Sequence, residues 1–532
     1  MNISVLDCTL RDGGYCNNWE FGLDSEKRII AGLVESGVEI VECGFLTNRV
    51  HYKEGTSKFT SLSQIKNILP QNRRNCKFVV MVNYGEYNLE KLPERNDSGI
   101  DGIRIAFHKK DASQALREAE VIKEKGYDLF LQPMVSLLYS DSEFLKLIFD
   151  SNNLNPYAFY IVDSFGNMKK RDLERYFFNA DHNLDSDICI GFHSHNNLQL
   201  SFSNAQALAD SHCSHDMVID SCIYGMGRGG GNLNTELFLN YLNENYDKKY
   251  EIRPIVRIID KSIDGFFKRN SWGYSLTNYL SAIYNTHPNY SNFLIDKNTL
   301  NIEEIDSVLK MMKDEKRVYY DEEYIENLYL EFLSSGKVFE KHRNEFENTV
   351  QKKRVMLIAP GKSSYDKREL IEQYAKNNDL VVISVNHDYS YYSVDYIFLS
   401  NLRRYREIDS AYYSKCIVTS NIPVKDAYMQ TDYHALLNEN TYVRDNAGLM
   451  AIKFLVGFGV NEIILAGFDG YSHDYNENYA DQSLLMITKN AMIDAMNAGM
   501  SNAIKKFSEH IKLYFLTNSK FVTEQSNDII EI

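Results

Sequence analysis

No CxxC pair and no dense framework occurs among the eight cysteines, which stand at Cys8, Cys16, Cys43, Cys76, Cys189, Cys213, Cys222 and Cys416. Scattered thiols of this kind fit a reducing compartment and read as buried or incidental. Excess positive charge is missing too: 58 Lys and Arg against 73 Asp and Glu leave a net charge of -15. Nucleic acid and anionic membrane surfaces are therefore poor partners. Met1 runs almost directly into a strand-like ISVLD, without a basic and apolar leader, and no apolar run approaches the length of a bilayer span. These absences predict a cytoplasmic protein. There is no fixed-period repeat and no low-complexity tract. What remains, 44% hydrophobic and 25% charged residues over 532 positions, is the composition of a soluble globular chain long enough for two or more domains.

Up to about residue 225, β-branched or apolar runs recur: ISVLD, EIVECGFL, KFVVMVN, GIRIAFH, YDLFLQPMV, AFYIVDSFG, ICIGFHSH and MVIDSCIYG. Amphipathic charged stretches separate them, at roughly 25 to 30 residues per unit. Alternation of this kind implies a parallel sheet. Eight such units closing on themselves make a (β/α)8 TIM barrel of about 250 residues, with a doubly wound sheet as the alternative. Glu26 to Ser36 interleaves charges with an Ile-Ile/Leu-Val stripe and precedes Gly37, as an outer helix and its C-cap would. The barrel is expected over 1–250, and a charged, aromatic, helical appendage and linker over 251–350, carried by IEEIDSVLKMMKD, EEYIENLYLEFLSSG and VFEKHRNEFENTVQKKR. RVMLIAPGKS then opens a strand–turn–helix pattern. With LVVISVNH, DYIFLSN, CIVTSN and NEIILAGFDG as buried strands and GLMAIKFLVGFG as an apolar helix, residues 351–532 read as a Rossmann-like α/β domain.

In GFHSHNN, His193 and His195 are one residue apart at the end of the seventh run, so both rings project from one face and can chelate one ion. TLRDGG at the end of the first run supplies Asp12, followed by two glycines that allow a tight loop. A carboxylate and two imidazoles so far apart in sequence meet only if the sheet closes and brings both runs to one C-terminal mouth. Such a set leaves positions open for a bidentate oxygen substrate. Without thiolates it suits Mn²⁺ or Mg²⁺, with Zn²⁺ or Co²⁺ as alternatives. An HxH pair alone is more often two strand histidines of a core. Its ordered company, TLRDGG before it and the glycine-rich GMGRGGGN ending in Asn232 after it, turns the reading toward a metal site.

Together, DCTLRDGG, GFHSHNN and GMGRGGGN resemble the signatures of the DRE-TIM metallolyase superfamily, which includes 4-hydroxy-2-oxovalerate aldolase, hydroxymethylglutaryl-CoA lyase and the isopropylmalate and homocitrate synthases. The resemblance covers roughly residues 1 to 250 and extends more loosely through NTHPNYSNFL. It implies that Asp12, His193 and His195 hold the ion, that Asn232 is an additional ligand, and that Arg11 stabilises an enolate oxygen. Where the aldolases carry a histidine base shortly after RDG, this sequence has Tyr15. Either Tyr15 or another group such as Glu42 takes that proton, or the substrate differs. Glu42 in VECGF and Asp163 in VDSFGNM stand at the mouth ends of the second and sixth runs and match acidic positions that recur in the superfamily. The competing role for each is a loop or cap ligand. Arg104 in GIRIAFH, aimed into a barrel, calls for a partner such as a substrate carboxylate or Glu42.

IAPGKSS, following a strand, could cradle a phosphate at a helix N-terminus, although it has neither Walker A nor GxGxxG spacing. With SVNHDY, DYIFLSN, NAGLMAIKFLVGFG and IILAGFDGY it resembles, over about residues 353 to 518, the nucleotide-binding scaffold of bacterial sialyltransferases. That resemblance implies nucleotide contacts at Gly361, Ser363, Asn386, Asn401 and Gly448. The late catalytic histidine of those transferases has no counterpart in ITKNAMIDAMNAGMSNAIKKF. Binding of a nucleotide or nucleotide-linked sugar without transfer, or different chemistry, is expected, and a domain used for oligomerisation is the bland alternative.

The resulting expectation is a divalent-metal-dependent aldolase or carbon–carbon lyase. It would act through the enolate of a 2-oxo acid, pyruvate first, on an aldehyde or sugar acceptor, with the C-terminal domain hinting at surface-polysaccharide synthesis. A Claisen-type acyl-CoA condensing synthase and a non-catalytic nucleotide-sugar-binding protein are the alternatives. The resemblance also implies a homo-oligomer.

Overall fold

Each of the eight runs becomes a strand in the computed structural model: β1 (Ile3–Asp7), β2 (Ile40–Leu46), β3 (Lys77–Asn83), β4 (Gly102–Phe107), β5 (Asp128–Pro133), β6 (Ala158–Asp163), β7 (Cys189–Ser194) and β8 (Met217–Ser221). All neighbours pair in parallel, and β1 pairs with both β8 and β2, which closes the sheet into a barrel. Closure explains why the runs are apolar on both faces: one face lines the barrel and the other meets the helices outside. β2 and β4 are buried along their whole length. The helix Leu23–Ser36 ends as predicted, with Gly37 in the left-handed region at φ +86 and its N–H on the carbonyls of Leu33 and Val34.

The structure describes residues 2–95, 99–297, 299–333, 341–389, 391–424, 426–481 and 490–522. The chain divides into two units, Met1–Ser291 with Arg317–Tyr319 and Asn292–Lys316 with Tyr320–Ile532. The stretch after the barrel is helical, with Ile252–Ile258, Asp264–Arg269, Leu276–Ile283, Pro288–Asp296, Ile302–Lys310, Glu322–Leu333 and Arg343–Lys352. Residues 334–336 and 338–340 of the predicted helical segments lie outside the described residues.

In the second unit β9 (Val355–Ile358), β10 (Val381–Val385), β11 (Tyr396–Leu399), β12 (Cys416–Thr419), β13 (Met429–Thr431), β14 (Glu462–Ala466) and β15 (Lys512–Phe515) form one seven-stranded parallel sheet. Its order is β13-β12-β11-β10-β9-β14-β15. The order reverses between β9 and β14, the kind of point where parallel sheets open a crevice at their carboxyl ends. All but the last two residues of the apolar GLMAIKFLVGFG lie in the helix Ala447–Gly457, most of which is buried. Among the described residues no helix is long and apolar enough to cross a membrane.

Candidate metal centre at the barrel mouth

Asp12 follows β1, His193 lies in β7 and His195 just beyond it, and barrel closure brings their ligand atoms within 4.8 Å of one another, all three residues buried. Asp12 Oδ2 stands 3.1 Å from His193 Nε2 and 3.8 Å from His195 Nε2. His193 Nδ1 is 2.9 Å from Asp220 Oδ2 on β8, an outer partner that orients the ring and leaves Nε2 toward Asp12. Asn232 spends its amide N–H groups on the Met226 carbonyl at 3.0 Å and Cys222 Sγ at 3.3 Å, and its backbone bridges that of His195. Its Oδ1 is buried without a hydrogen-bond partner, and so is Oδ1 of Asp12. A buried unsatisfied oxygen costs about 1–3 kcal/mol. Two of them beside two imidazoles are the donor set of a divalent cation with N and O ligands, so the residues present fit such an ion.

Charge at the cluster is set by neighbours as much as by burial. Burial opposes ionisation of Asp12, yet Arg11, His195 and His193 outweigh it and hold the carboxyl well below the usual range. Burial also opposes a charged His193, but its hydrogen bonds to Asp12 and Asp220 raise it well above the ordinary value. His195 is pushed down to about 3, by burial first, with His193, Arg228 and Arg11 adding to the shift and Asp12 opposing it.

Inside the barrel these groups join a closed ring of alternating charge. Arg11 donates from Nη1 to Asp12 Oδ2 at 2.7 Å and from Nε to Glu42 Oε2 at 2.8 Å. Glu42 Oε2 is also 2.9 Å from Nη1 of Arg104, which is wholly buried and pairs in turn with Asp220. Asp220 meets His193, and His193 meets Asp12. Tyr160 Oη donates to the other Asp220 oxygen at 2.9 Å. Buried ions are tolerable only when paired, and here each has two opposite neighbours. The second glycine of RDGG is required by packing: a Cβ on Gly14 would stand 2.1 Å from Cδ1 of Trp19, whose Nε1 donates to the Arg11 carbonyl.

The remaining sequence-derived residues sit elsewhere. Tyr15 is 41% exposed at the rim, its ring 4.6 Å from Trp19 and 5.2 Å from the Arg228 guanidinium carbon. Packing around the phenol raises its pKa, against the pull of Arg228. Asp163 accepts the backbone N–H of Asn167 at 3.0 Å and of Met168 at 3.1 Å, holding the loop after β6, and burial pushes it up to about 7. Sequence reasoning missed Asp220, Tyr160, Arg228 and His287. An acid inside the apolar MVIDS was the available signal for Asp220.

In the second unit, Gly361 donates its N–H to the Gly467 carbonyl at 3.0 Å, and a Cβ there would stand 2.2 Å from that oxygen. Ser363 N–H donates to Asp469 Oδ2 at 2.7 Å and its hydroxyl to Oδ1, so the IAPGKSS turn already holds a carboxylate of its own chain. Asn386, just beyond β10, has φ +59 and a buried Oδ1 without a hydrogen-bond partner. Asn401 caps the helix Leu402–Glu407 through the Arg403 N–H at 2.9 Å, and Gly448 lies in the first turn of Ala447–Gly457, close to Phe468. The first four follow the carboxyl ends of β9, β10 and β11.

Residues 2–260, just under half of the chain, match the family described as HMGL-like. Its relatives include 4-hydroxy-2-oxovalerate aldolase of Geobacillus genomosp. 3, 27% identical over 245 residues, which are 45% of this chain and 70% of the relative. Oxaloacetate decarboxylase of Mycobacterium tuberculosis is 25% identical over 233 residues, 44% of this chain and 67% of the relative. Among solved structures, the N-terminal domain of a candidate aldolase from Bacteroides vulgatus aligns with a TM-score of 0.48 at 26% identity, covering 58% of this chain and 100% of that one.

Proposed function

We propose that the first unit is a divalent-metal-dependent aldolase or lyase that makes or breaks a carbon–carbon bond next to the carbonyl of a 2-oxo acid, pyruvate first. The observation that carries this is the buried Asp12, His193 and His195 set, with unpaired oxygens on Asp12 and Asn232. Relatives bearing the name 4-hydroxy-2-oxovalerate aldolase support it. An ion held by these residues, Mn²⁺ or Mg²⁺ first, supplies Lewis-acid charge worth several kcal/mol to the oxygens of the 2-oxo acid.

Arg11 adds a fixed positive charge where negative charge develops on the enolate oxygen, and Glu42 and Asp12 hold it in place so that it needs no reorganisation. Glu42, Arg104 and Asp220 are positioning residues. In the condensation direction a proton leaves the carbon beside the 2-oxo group, that carbon bonds to the acceptor's carbonyl carbon, and the carbonyl oxygen takes up a proton. Cleavage runs the same steps in reverse.

One feature favours a second reading. Two guanidiniums neutralise Glu42 through Oε2, its Oε1 is buried without a partner, and the Tyr15 phenol is raised, so neither is a ready base for a β-hydroxyl proton. Loss of CO₂ from oxaloacetate needs no such base, and one relative carries that activity in its name. For the second unit we infer a Rossmann-like role, binding a nucleotide or nucleotide-linked sugar at the carboxyl ends of β9 to β11, with surface-polysaccharide synthesis as its setting. A phosphate at IAPGKSS would have to displace Asp469 from Ser363.

Mn²⁺-loaded protein offered 4-hydroxy-2-oxopentanoate or oxaloacetate tests the first unit, with pyruvate release followed through lactate dehydrogenase. The aldolase reading expects pyruvate and acetaldehyde from the first compound, lost in Asp12→Ala. Release from oxaloacetate alone, above the rate with Mn²⁺ in buffer, selects the decarboxylase. No release from either by metal-loaded protein overturns both.

A further inference from the structure

Across the barrel from the metal cluster stands a polar wall that the chemistry above leaves unused. Asp12, His193, His195 and Asp220 follow or belong to β1, β7 and β8, and in a closed barrel of eight strands β4 and β5 lie opposite them. Arg104 shows which side chains of β4 enter the barrel, since its guanidinium reaches Glu42 and Asp220. Strand alternation turns Ala106 and then His108 to the same face. Ala106 clusters with Phe45, Met81 and Trp19, whose indole N–H donates to the Arg11 carbonyl, and the backbone is still extended at His108, with φ -82 and ψ 156.

On β5 the register pairs Ala106 with Gln132, so the Gln132 side chain shares that inward face, one layer above Arg104. Gln132 is 2% exposed, and its Nε2 has no hydrogen-bond partner. A buried amide donor left unpaired opposes folding, and a ligand oxygen would relieve it.

His108 carries the second unpaired atom. Its Nδ1 is buried without a hydrogen-bond partner, while the residue as a whole keeps solvent access. Tyr319 packs edge-on against the ring at 5.0 Å between centroids, Asp111 and Lys110 of its own loop act on its charge in opposite directions, and His287 lies close enough for the two rings to repel when charged. Burial is the largest influence and lowers the ring below its ordinary 6.5, so it is neutral near physiological pH. A neutral imidazole has one protonated nitrogen and one lone pair, and with the proton on Nε2 the buried Nδ1 is a free base.

The wall therefore offers a donor on one strand and a proton acceptor on the next. A carboxylate or a carbonyl would satisfy Gln132 alone. A hydroxyl satisfies both, because its O–H donates to His108 while its oxygen accepts from Gln132. Resting on the enolate chemistry proposed above, we propose that His108 is the base for the β-hydroxyl of the aldol and that Gln132 holds the same oxygen. In cleavage the hydroxyl proton passes to His108 Nδ1 and the carbon–carbon bond breaks. The acceptor leaves as an aldehyde or ketone, and the electron pair stays on the 2-oxo acid as its enolate. Solvent then protonates the enolate carbon, and His108 returns its proton to water. Condensation reverses these steps. His108 thus fills the role that Glu42 and Tyr15 leave open.

The test compares Mn²⁺-loaded full-length wild type, His108→Ala and Gln132→Leu, following pyruvate release from 4-hydroxy-2-oxopentanoate and, in parallel, deuterium exchange into pyruvate. Wild type is expected to do both. His108→Ala should lose about a hundred- to a thousandfold in kcat for cleavage, keep exchange within about threefold of wild type, and regain at least about tenfold in cleavage with added imidazole, which leaves wild type unchanged. Gln132→Leu should lose about tenfold in cleavage, yet unfold in urea at or above the wild-type midpoint, because an unpaired buried donor has gone. Cleavage retained in His108→Ala overturns the proposal. So does a loss matched by the loss in exchange and not restored by imidazole, or a wild type that exchanges pyruvate but cleaves nothing. Absence of exchange in metal-loaded wild type is a failure of the enolate reading itself, and this proposal falls with it.

Discussion

Both units bring the carboxyl ends of parallel strands to one side, but they leave opposite kinds of polar group there. At the barrel mouth six charged side chains close a ring through Asp12, Arg11, Glu42, Arg104, Asp220 and His193, and oxygens on Asp12 and Asn232 are still unpaired. In the seven-stranded sheet the turn that resembles a phosphate cradle is already filled, because Asp469 takes both the N–H and the hydroxyl of Ser363. The contrast separates a motif from a site. A glycine turn before a helix can satisfy itself, whereas a dense set of acceptors and imidazoles that keeps unpaired oxygens even beside Arg11 and Arg104 calls for a cation.

Substitutions and pH test the difference between the two units. Arg104→Met should have the largest effect, since it opens the ring and leaves the buried Glu42 with Arg11 alone and the buried Asp220 with His193 alone, at a cost of about 3 kcal/mol. Urea unfolding followed by tryptophan emission reads this in the first unit, because both tryptophans, Trp19 and Trp272, lie there. Next is pH. Burial raises Asp7 from 3.8 to about 6 despite its hydrogen bonds to Thr235 and Thr9. The folded state therefore binds more protons than the unfolded one between those values. Its contribution to stability falls as pH rises from 3.8 to about 6 and is flat above. The change is on the order of 3 kcal/mol, and Asp7→Asn should remove it from the pH dependence of the urea midpoint. Asp220→Asn, acting through His193, should weaken Mn²⁺ binding about 10- to 100-fold by calorimetry. The smallest effect is in the second unit, where Asp469→Ala should cost about 1 kcal/mol and speed amide exchange at Ser363 roughly fivefold.

What could be read from sequence follows the range of the interactions. The eight barrel strands were legible because burial on both faces forces continuous β-branched runs, and Asp12, His193 and His195 because their motifs sit at strand ends that closure must unite. β13 and β15 were not: MQT is short and polar, and KLYF starts with an exposed Lys512 and has no β-branched residue. Glu42 was expected as a partner of Arg104 and is one, but Asp220, which completes the ring, looks like any strand acid until the barrel closes. The contact of Arg228 with His287 joins a glycine loop to a helical segment 59 residues later, beyond any local pattern. Asp163 shows the opposite limit: its place at a strand end was legible, yet both its oxygens go to backbone N–H groups of the following loop.

Asp12, His193 and His195 are proposed to hold a divalent ion that promotes enolate formation from a 2-oxo acid. Deuterium exchange into the methyl protons of pyruvate, followed by NMR with Mn²⁺, with chelator and with His193→Ala, decides this proposal. The expected result is exchange with Mn²⁺ that chelator abolishes and that the variant lacks. Exchange that survives both chelator and substitution, or none from protein shown to bind Mn²⁺, would contradict it.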